Sequence, residues 1–346
     1  MSNATVAAPG GAGAATGPDP AGWLAALAGL YAIPDDHRDA VVDRIAALDM
    51  LRCGEPVLDE LIRAGLPVTE RAGTQFFDRY DLFNLALASG SGTSVPERAI
   101  RYALRWMHGG PETWTQRLDW TFEIELTCPL PACLADPVWS HARLQPEAVD
   151  GELLDWQTTP AGSEVSADRV HFTGPAPVGL SGRLVTRGEL MTIRSPRLRA
   201  IVEGFLDANY TWVRMPERLQ CEYERVMAAG VGPCISASLF LQREFEAAGY
   251  PALTRRGWLL GMLDLAHSWV EVVDDDGVRK VIDPIFARLV EHADQPHPGL
   301  AVAVIGSRVN RLLPAAIPAD GRMVTHRCGG QDRLPDRRTV IRRRST

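Results

Sequence analysis

The 346-residue sequence predicts an α+β fold, with a mostly helical N-terminal region followed by a helix packed on an antiparallel sheet. Two patterns point to it. From Gly22 to about His108, apolar residues recur three and four apart, the spacing of one face of a helix. After Thr192, three helical patterns precede β-rich runs separated by Asp274-Asp275-Asp276-Gly277, the order of helices leading into a hairpin. Hydrophobic residues at 46% and charged residues at 23% fit a globular chain and exclude a fibrous or wholly disordered one. A net charge of -7 argues against a generic nucleic-acid or acidic-membrane binder, whose footprint would be basic. Of 36 basic residues only Lys280 is a lysine, and the arginines are scattered, which reads as base-composition bias.

The elements follow in order. Residues 1–20 are Ala, Gly and Pro with almost no bulky side chain, so they are expected to be disordered. Residues 21–190 are expected to be mostly helical. The pattern is carried by Trp23-Leu24-Leu27-Leu30, by Val41-Val42-Ile45-Leu48, by Val57-Leu58-Leu61-Ile62 and by Ile100-Tyr102-Ala103-Trp106, with Pro56, Pro67 and Pro96 at helix boundaries. The Pro- and Trp-rich part of this region, 110–190, contains strand-like runs at 169–172 and 182–185 and resists detailed assignment. Residues 191–315 are expected to form the core. Ser195-Pro196 opens a helix with a capping hydroxyl and a first-turn proline, and a second helix stops at Gly230. Residues 316–346 read as a solvated arginine-rich tail.

Cysteines occur at 53, 128, 133, 221, 234 and 328, too few for a secreted disulfide scaffold of this length. Residues 1–18 match no signal or transit peptide, and the uncharged stretch 21–34 is too short to span a bilayer. A cytoplasmic protein with reduced thiols is the expectation. Cys128 and Cys133 have four residues between them and no second pair read at zinc spacing, so no metal is expected there. The cysteines other than Cys234 read as buried hydrophobes, and His108, His292, His297 and His326 as solvated.

The chemistry concentrates in residues 230–286. Gly232-Pro233-Cys234 opens a helix that buries Ile235, Leu239, Phe245 and Ala248 and ends at Gly249. Cys234 thereby sits where free N–H groups and the helix dipole favour a thiolate. The run 267–273 turns through 274–277 and returns over 278–282. A two- or three-residue loop sets His267 across from Asp283 within a place or two. A thiol, an imidazole and a carboxylate so placed are the parts of nucleophilic catalysis.

Gly-x-Cys at a helix start, Ala-Gly-Tyr-Pro-Ala at 248–252, His-Ser-Trp-Val-Glu-Val at 267–272 and Ile-Asp-Pro at 282–284 together resemble the transglutaminase-like cysteine superfamily. The likeness covers about 60 residues clearly and about 120 faintly, from Thr192 to Leu312. It implies a papain-like core, with Cys234 as nucleophile, His267 as base and Asp283 as orienting residue. It also implies an oxyanion hole formed by the Cys234 backbone N–H and a preceding side-chain donor, for which Trp212, Tyr210 and Gln220 are the candidates. Trp258, Trp269 and Arg256 are candidates for meeting substrate; Arg255 and Arg256 could each meet a substrate carboxylate or phosphate, with solvent-facing arginines as the plainer reading of both.

The resemblance implies an acyl-transfer enzyme without cofactor. Cys234 would form an acyl-thioester from an amide, peptide or thioester donor, carrier-bound donors included, and pass the acyl group to an amine. The resulting amide bond fits small-molecule or peptide tailoring in biosynthesis. Two alternatives stand beside it: a cysteine amidase or peptidase with water as acceptor, and a non-catalytic binding module that keeps the fold. Neither nucleic acid nor membrane is an expected partner.

Overall fold

The computed structural model describes residues 20–133, 135–261 and 265–344. Apart from Pro20, the segment expected to be disordered lies outside them. Among the described residues no helix is long and apolar enough to cross a membrane. The described residues divide into two compact units, one made of those up to Pro34 with 38–98, the other of 35–37 with those from Ala99 on.

In the first unit the helices Pro20–Ala28, Arg44–Leu51, Glu55–Arg63 and Arg79–Ala88 bury Trp23, Leu51, Leu58, Leu61, Leu82 and Leu85 in one cluster. Asp43 caps the second of these by accepting from the Ala46 N–H at 2.8 Å, and Asp78 caps the fourth through the Tyr80 N–H at 2.7 Å. Ser94 and Glu97 form a reciprocal capping box: the Ser94 N–H donates to Glu97 at 3.2 Å and the Glu97 N–H to Ser94 at 3.3 Å. The expected helical run at 41–48 begins instead as the strand Ala40–Asp43, which pairs with Thr74–Asp78. The β-branched pair Val41-Val42 suits a pleated strand better than a helix turn.

The second unit corrects two expectations. After the helix Pro111–Thr115 no α-helix begins before Pro196 among the described residues, and 118–186 is strands with one 3-10 turn, Pro146–Val149, rather than helix. In the strand Leu118–Thr127, Leu118, Trp120, Phe122, Ile124 and Leu126 are buried while the residues between them are not. That is period-two alternation, incompatible with a helix face. This strand is central in a four-stranded antiparallel sheet, between Val178–Thr186 and Asp336–Arg343. The arginine-rich end is therefore paired through its backbone rather than frayed, while most of its arginine side chains remain exposed. Val324–Cys328 and Gln331–Arg333 join Val138–Ala142 and Arg169–Thr173 in another sheet. His326, expected in solvent, is 2% exposed.

The remaining sheet has the order Ile305–Gly306, Arg279–Ile282, Ala266–Val273, Ala252–Leu259, Leu312–Pro314, with every neighbouring pair antiparallel. The helices Pro196–Asp207 and Cys234–Ala247 cover it. Leu198, Val202, Leu241 and Phe245 bury against Val270, Val272 and Ile282. The first of these helices starts at Ser195, whose hydroxyl accepts from the Leu198 N–H at 3.3 Å. In the hairpin the Asp274 N–H donates to the Val278 carbonyl at 3.1 Å, which leaves a three-residue loop with Gly277 at φ 72°. Glycine there adopts the left-handed conformation that such loops require.

Candidate active site

The helix that carries Cys234 begins at that residue, with Pro233 as its N-cap rather than inside the first turn. It stops as its sequence predicts: Gly249, at φ 88°, lets the Tyr250 N–H close onto the Phe245 carbonyl at 3.0 Å. Upstream, the Gly232 N–H donates to the Thr211 carbonyl at 2.9 Å, so 210–212 runs alongside the approach to Cys234. A Cβ at Gly232 would lie 2.9 Å from the Tyr210 Cβ, so only glycine permits that approach.

His267 lies in the strand Ala266–Val273, opposite Gly257, and Asp283 follows the last paired residue of the return strand, Ile282. Facing numbers in this hairpin sum to 552, as in Val270 with Ile282. The two side chains meet: His267 Nε2 and Asp283 Oδ2 are 2.6 Å apart, and both residues are buried. The other carboxylate oxygen of Asp283 accepts from the Phe286 N–H at 2.8 Å and caps the helix Pro284–Leu289. One carboxylate thus holds the imidazole and starts a helix, which fixes its position twice.

The imidazole is also near enough to Cys234 for each to shift the other's pKa. With Nε2 turned to Asp283, Nδ1 is the nitrogen left for sulfur. Burial presses the His267 pKa down, but the Asp283 charge and hydrogen bond, together with Cys234, carry it up to about 10. For Cys234, burial is the largest influence and raises the pKa. The His267 hydrogen bond and charge, the Arg256 charge and the Ser268 backbone N–H outweigh it and bring the thiol below its ordinary value. Both shifts favour the thiolate–imidazolium pair over the neutral one, and the thiolate is the form in which sulfur is nucleophilic.

The oxyanion candidates fall in different places. Gln220 is beside Cys234: its Oε1 is 3.8 Å from Sγ and accepts the Ile235 N–H at 3.3 Å, while its Nε2 donates to the Met215 carbonyl at 3.0 Å. Tyr210 packs on Phe205 with ring centroids 5.2 Å apart, and Trp212 lies 5.9 Å from His292.

The three substrate-meeting candidates are buried, which leaves them no surface for a ligand. Trp258 is in the core with its ring 5.8 Å from that of His141, and Trp269 donates its indole N–H to Glu271 at 3.3 Å. Arg256 is held by Ser268 Oγ at 3.1 Å and by Glu217, and its charge acts on Cys234. Arg255, expected in solvent, pairs with the buried Glu271 at 3.2 Å and with Gln145 at 3.0 Å. Sequence reasoning missed Glu217 and Ser268. A short polar residue next to His267, opposite an arginine on the neighbouring strand, was the available signal. The thiols also differ from expectation: Cys221 is exposed, and only Cys328 is fully buried.

No known family model matches the chain, and no curated protein does. Among solved structures it is similar to a protein from Cytophaga hutchinsonii described as a candidate cysteine protease, at 10% identity and a TM-score of 0.40. The match covers 67% of this chain and 92% of that one. So distant a likeness does not bear on the chemistry of the site.

Proposed function

We propose that the chain is a thiol acyl-transfer enzyme in which Cys234 is the nucleophile, His267 the acid–base and Asp283 the residue that orients and charges the imidazole. The observation that carries this reading is the buried contact of His267 with Asp283 beside a thiol at a helix start whose pKa lies below the ordinary range.

Thiolate attack on the carbonyl carbon of an amide, peptide or thioester forms the C–S bond. The carbonyl π electrons move to oxygen, near the Cys234 backbone N–H, a first-turn donor that no helical carbonyl can satisfy. Collapse expels the leaving group, which takes the imidazolium proton from His267 and departs as an amine from an amide or peptide donor and as a thiol from a thioester, leaving the imidazole neutral. A second amine then attacks the thioester and gives its proton to the neutral imidazole. An amide leaves, and the thiolate–imidazolium pair is restored. No cofactor enters this cycle.

The test incubates the purified chain with amide, peptide and thioester donors, with and without amines, and looks for a mass adduct on Cys234. An adduct that amines discharge into amides, absent in Cys234→Ala, is the expected result. Amine-independent release of acid as the only product overturns the transferase reading in favour of a hydrolase. No adduct, with equally sluggish alkylation of every thiol, overturns the enzyme reading in favour of a binding module.

A further inference from the structure

Away from Cys234, four soft side chains converge where two distant parts of the chain meet. Cys128 and Cys133 flank the loop Pro129–Ala132 that follows the strand Leu118–Thr127. His326 and Cys328 lie two apart on the strand Val324–Cys328, hence on one face of it. His326 Nε2 is 3.3 Å from Cys128 Sγ, and Cys128 Sγ is 3.9 Å from Cys328 Sγ. The donor atoms of Cys128, Cys133 and His326 all lie within 4.8 Å of one another. Around a tetrahedral zinc with Zn–S near 2.3 Å, the donor–donor edge is about 3.7 Å. The separations of Cys128 from His326 and from Cys328 lie near that edge, the other separations within the three-residue group stay below 4.8 Å, and Cys328 reaches the group through Cys128, so its thiol is the ligand that draws in as the cation binds.

We propose that Cys128, Cys133, His326 and Cys328 form a structural zinc site. Three thiols lose their protons to solvent as the cation binds, and the neutral imidazole completes a closed tetrahedral set with no position left for substrate. The surroundings fit that role. His326 Nδ1 faces the Val138 carbonyl at 3.2 Å, which places the proton on Nδ1 and the lone pair on Nε2, the nitrogen turned to the sulfurs. The ring is stacked on Trp139 with centroids 3.4 Å apart. The Gly329 N–H donates to the Ala135 carbonyl at 3.0 Å, tying the two ligand-bearing loops together by backbone. Gly329 and Gly330, at φ 56° and 75°, make the tight turn that ends the strand just past Cys328. Cys128 and Cys133 pack on the apolar core beneath.

Two other uses of these groups fit less well. A disulfide would consume two sulfurs and leave a thiol and an imidazole facing each other in the interior. A second Cys–His nucleophile would not need three converging sulfurs. The expectation that the Cys128–Cys133 spacing lacks a second pair is thereby revised: the pair is His326-x-Cys328, 198 residues along the chain from Cys128 to His326.

The test measures zinc by elemental mass spectrometry on the full chain, with Cys234 alkylated to exclude its thiol. About one zinc per chain is expected. After chelation and reloading with Co²⁺, the wild-type chain should show tetrahedral d–d bands and thiolate-to-cobalt charge transfer, a signature that does not depend on any variant folding. Cys128→Ser, Cys328→Ser and His326→Ala should each lose most of the metal, whereas Cys53→Ser retains it. Failure of the wild-type chain to hold or take up zinc overturns the proposal. So does a cobalt spectrum without thiolate charge transfer, retention of metal in Cys128→Ser and Cys328→Ser, or a Cys128–Cys328 disulfide in the chain as isolated.

Discussion

At the scale of single residues, the site is a contest between burial and charge. Burial alone would leave Cys234 a neutral thiol and His267 a neutral imidazole. Each instead raises the charged population of the other, with Asp283 supporting the imidazolium from behind. For His267, a pKa near 10 against an unfolded value of about 6.5 means its contribution to stability is complete below about 6.5 and is lost as pH rises through about 10. For Cys234 the sign is opposite: its contribution is complete above the unfolded thiol value and is lost as pH falls through the lowered one. The ion pair therefore exists in the window between the lowered Cys234 pKa and about 10. Iodoacetamide labelling followed by peptide mapping should find Cys234 reacting fastest at pH 7. Its rate should already be at a plateau where an ordinary thiol is still rising. Cys221 should lag despite its exposure, because partial desolvation and the Asp320 carboxylate raise its pKa. His267→Ala leaves burial unopposed by the imidazolium and should slow Cys234 by at least about tenfold, one pKa unit of thiolate population. A Cys234 rate that climbs through the ordinary thiol range and ignores His267→Ala would contradict this account.

At the scale of elements, two functions rest on one carboxylate and one strand rests on a missing side chain. Asp283 caps the helix Pro284–Leu289 while it binds His267. Asp283→Asn keeps an acceptor for the Phe286 N–H but removes the charge, so it should lower the His267 pKa and cut turnover with little loss of stability. Asp283→Ala removes both and should cost about 1 kcal/mol more in denaturant unfolding, the worth of a cap. Equal stability of the two variants would show that the cap contributes nothing. Gly257 faces His267 in the neighbouring strand, and a Cβ there would lie 2.1 Å from the Leu313 carbonyl oxygen. Gly257→Ala must push apart the strands Ala252–Leu259 and Leu312–Pro314. It should cost about 1–3 kcal/mol, as overpacking does, and reduce activity by displacing His267. A thermal scan beside a rate measurement checks both.

At the scale of the whole molecule, the chain closes on itself late. The strand Asp336–Arg343 pairs over eight residues with Leu118–Thr127, and Ile341 rests against the core under that sheet. Removing residues 335–346 leaves Leu118–Thr127 as an unpaired edge, a template for aggregation. At about 0.5–1.5 kcal/mol net for each lost ladder hydrogen bond, stability should fall by several kcal/mol. Unfolding curves and light scattering on the truncated chain test this, and unchanged behaviour would mean that the strand adds little to the fold.

Local chemistry is what the amino-acid order reveals. The glycines around the Cys234 helix, the Asp-Asp-Asp-Gly turn and the Pro after Asp283 each act within a few residues. Helix start, helix stop and hairpin register could therefore be counted, and with them the nearness of His267 to Asp283. The alternation at 118–127 was equally local but was lost among the surrounding prolines and tryptophans. Other features depend on partners far along the chain: the pairing of the arginine-rich end, the burial of Arg256 and Trp258, and the meeting of Cys128 and Cys133 with His326 and Cys328. Periodicity says which face of an element is buried, but not against what. That choice belongs to the packed tertiary structure, where non-local strand pairing and core packing compete over the whole chain.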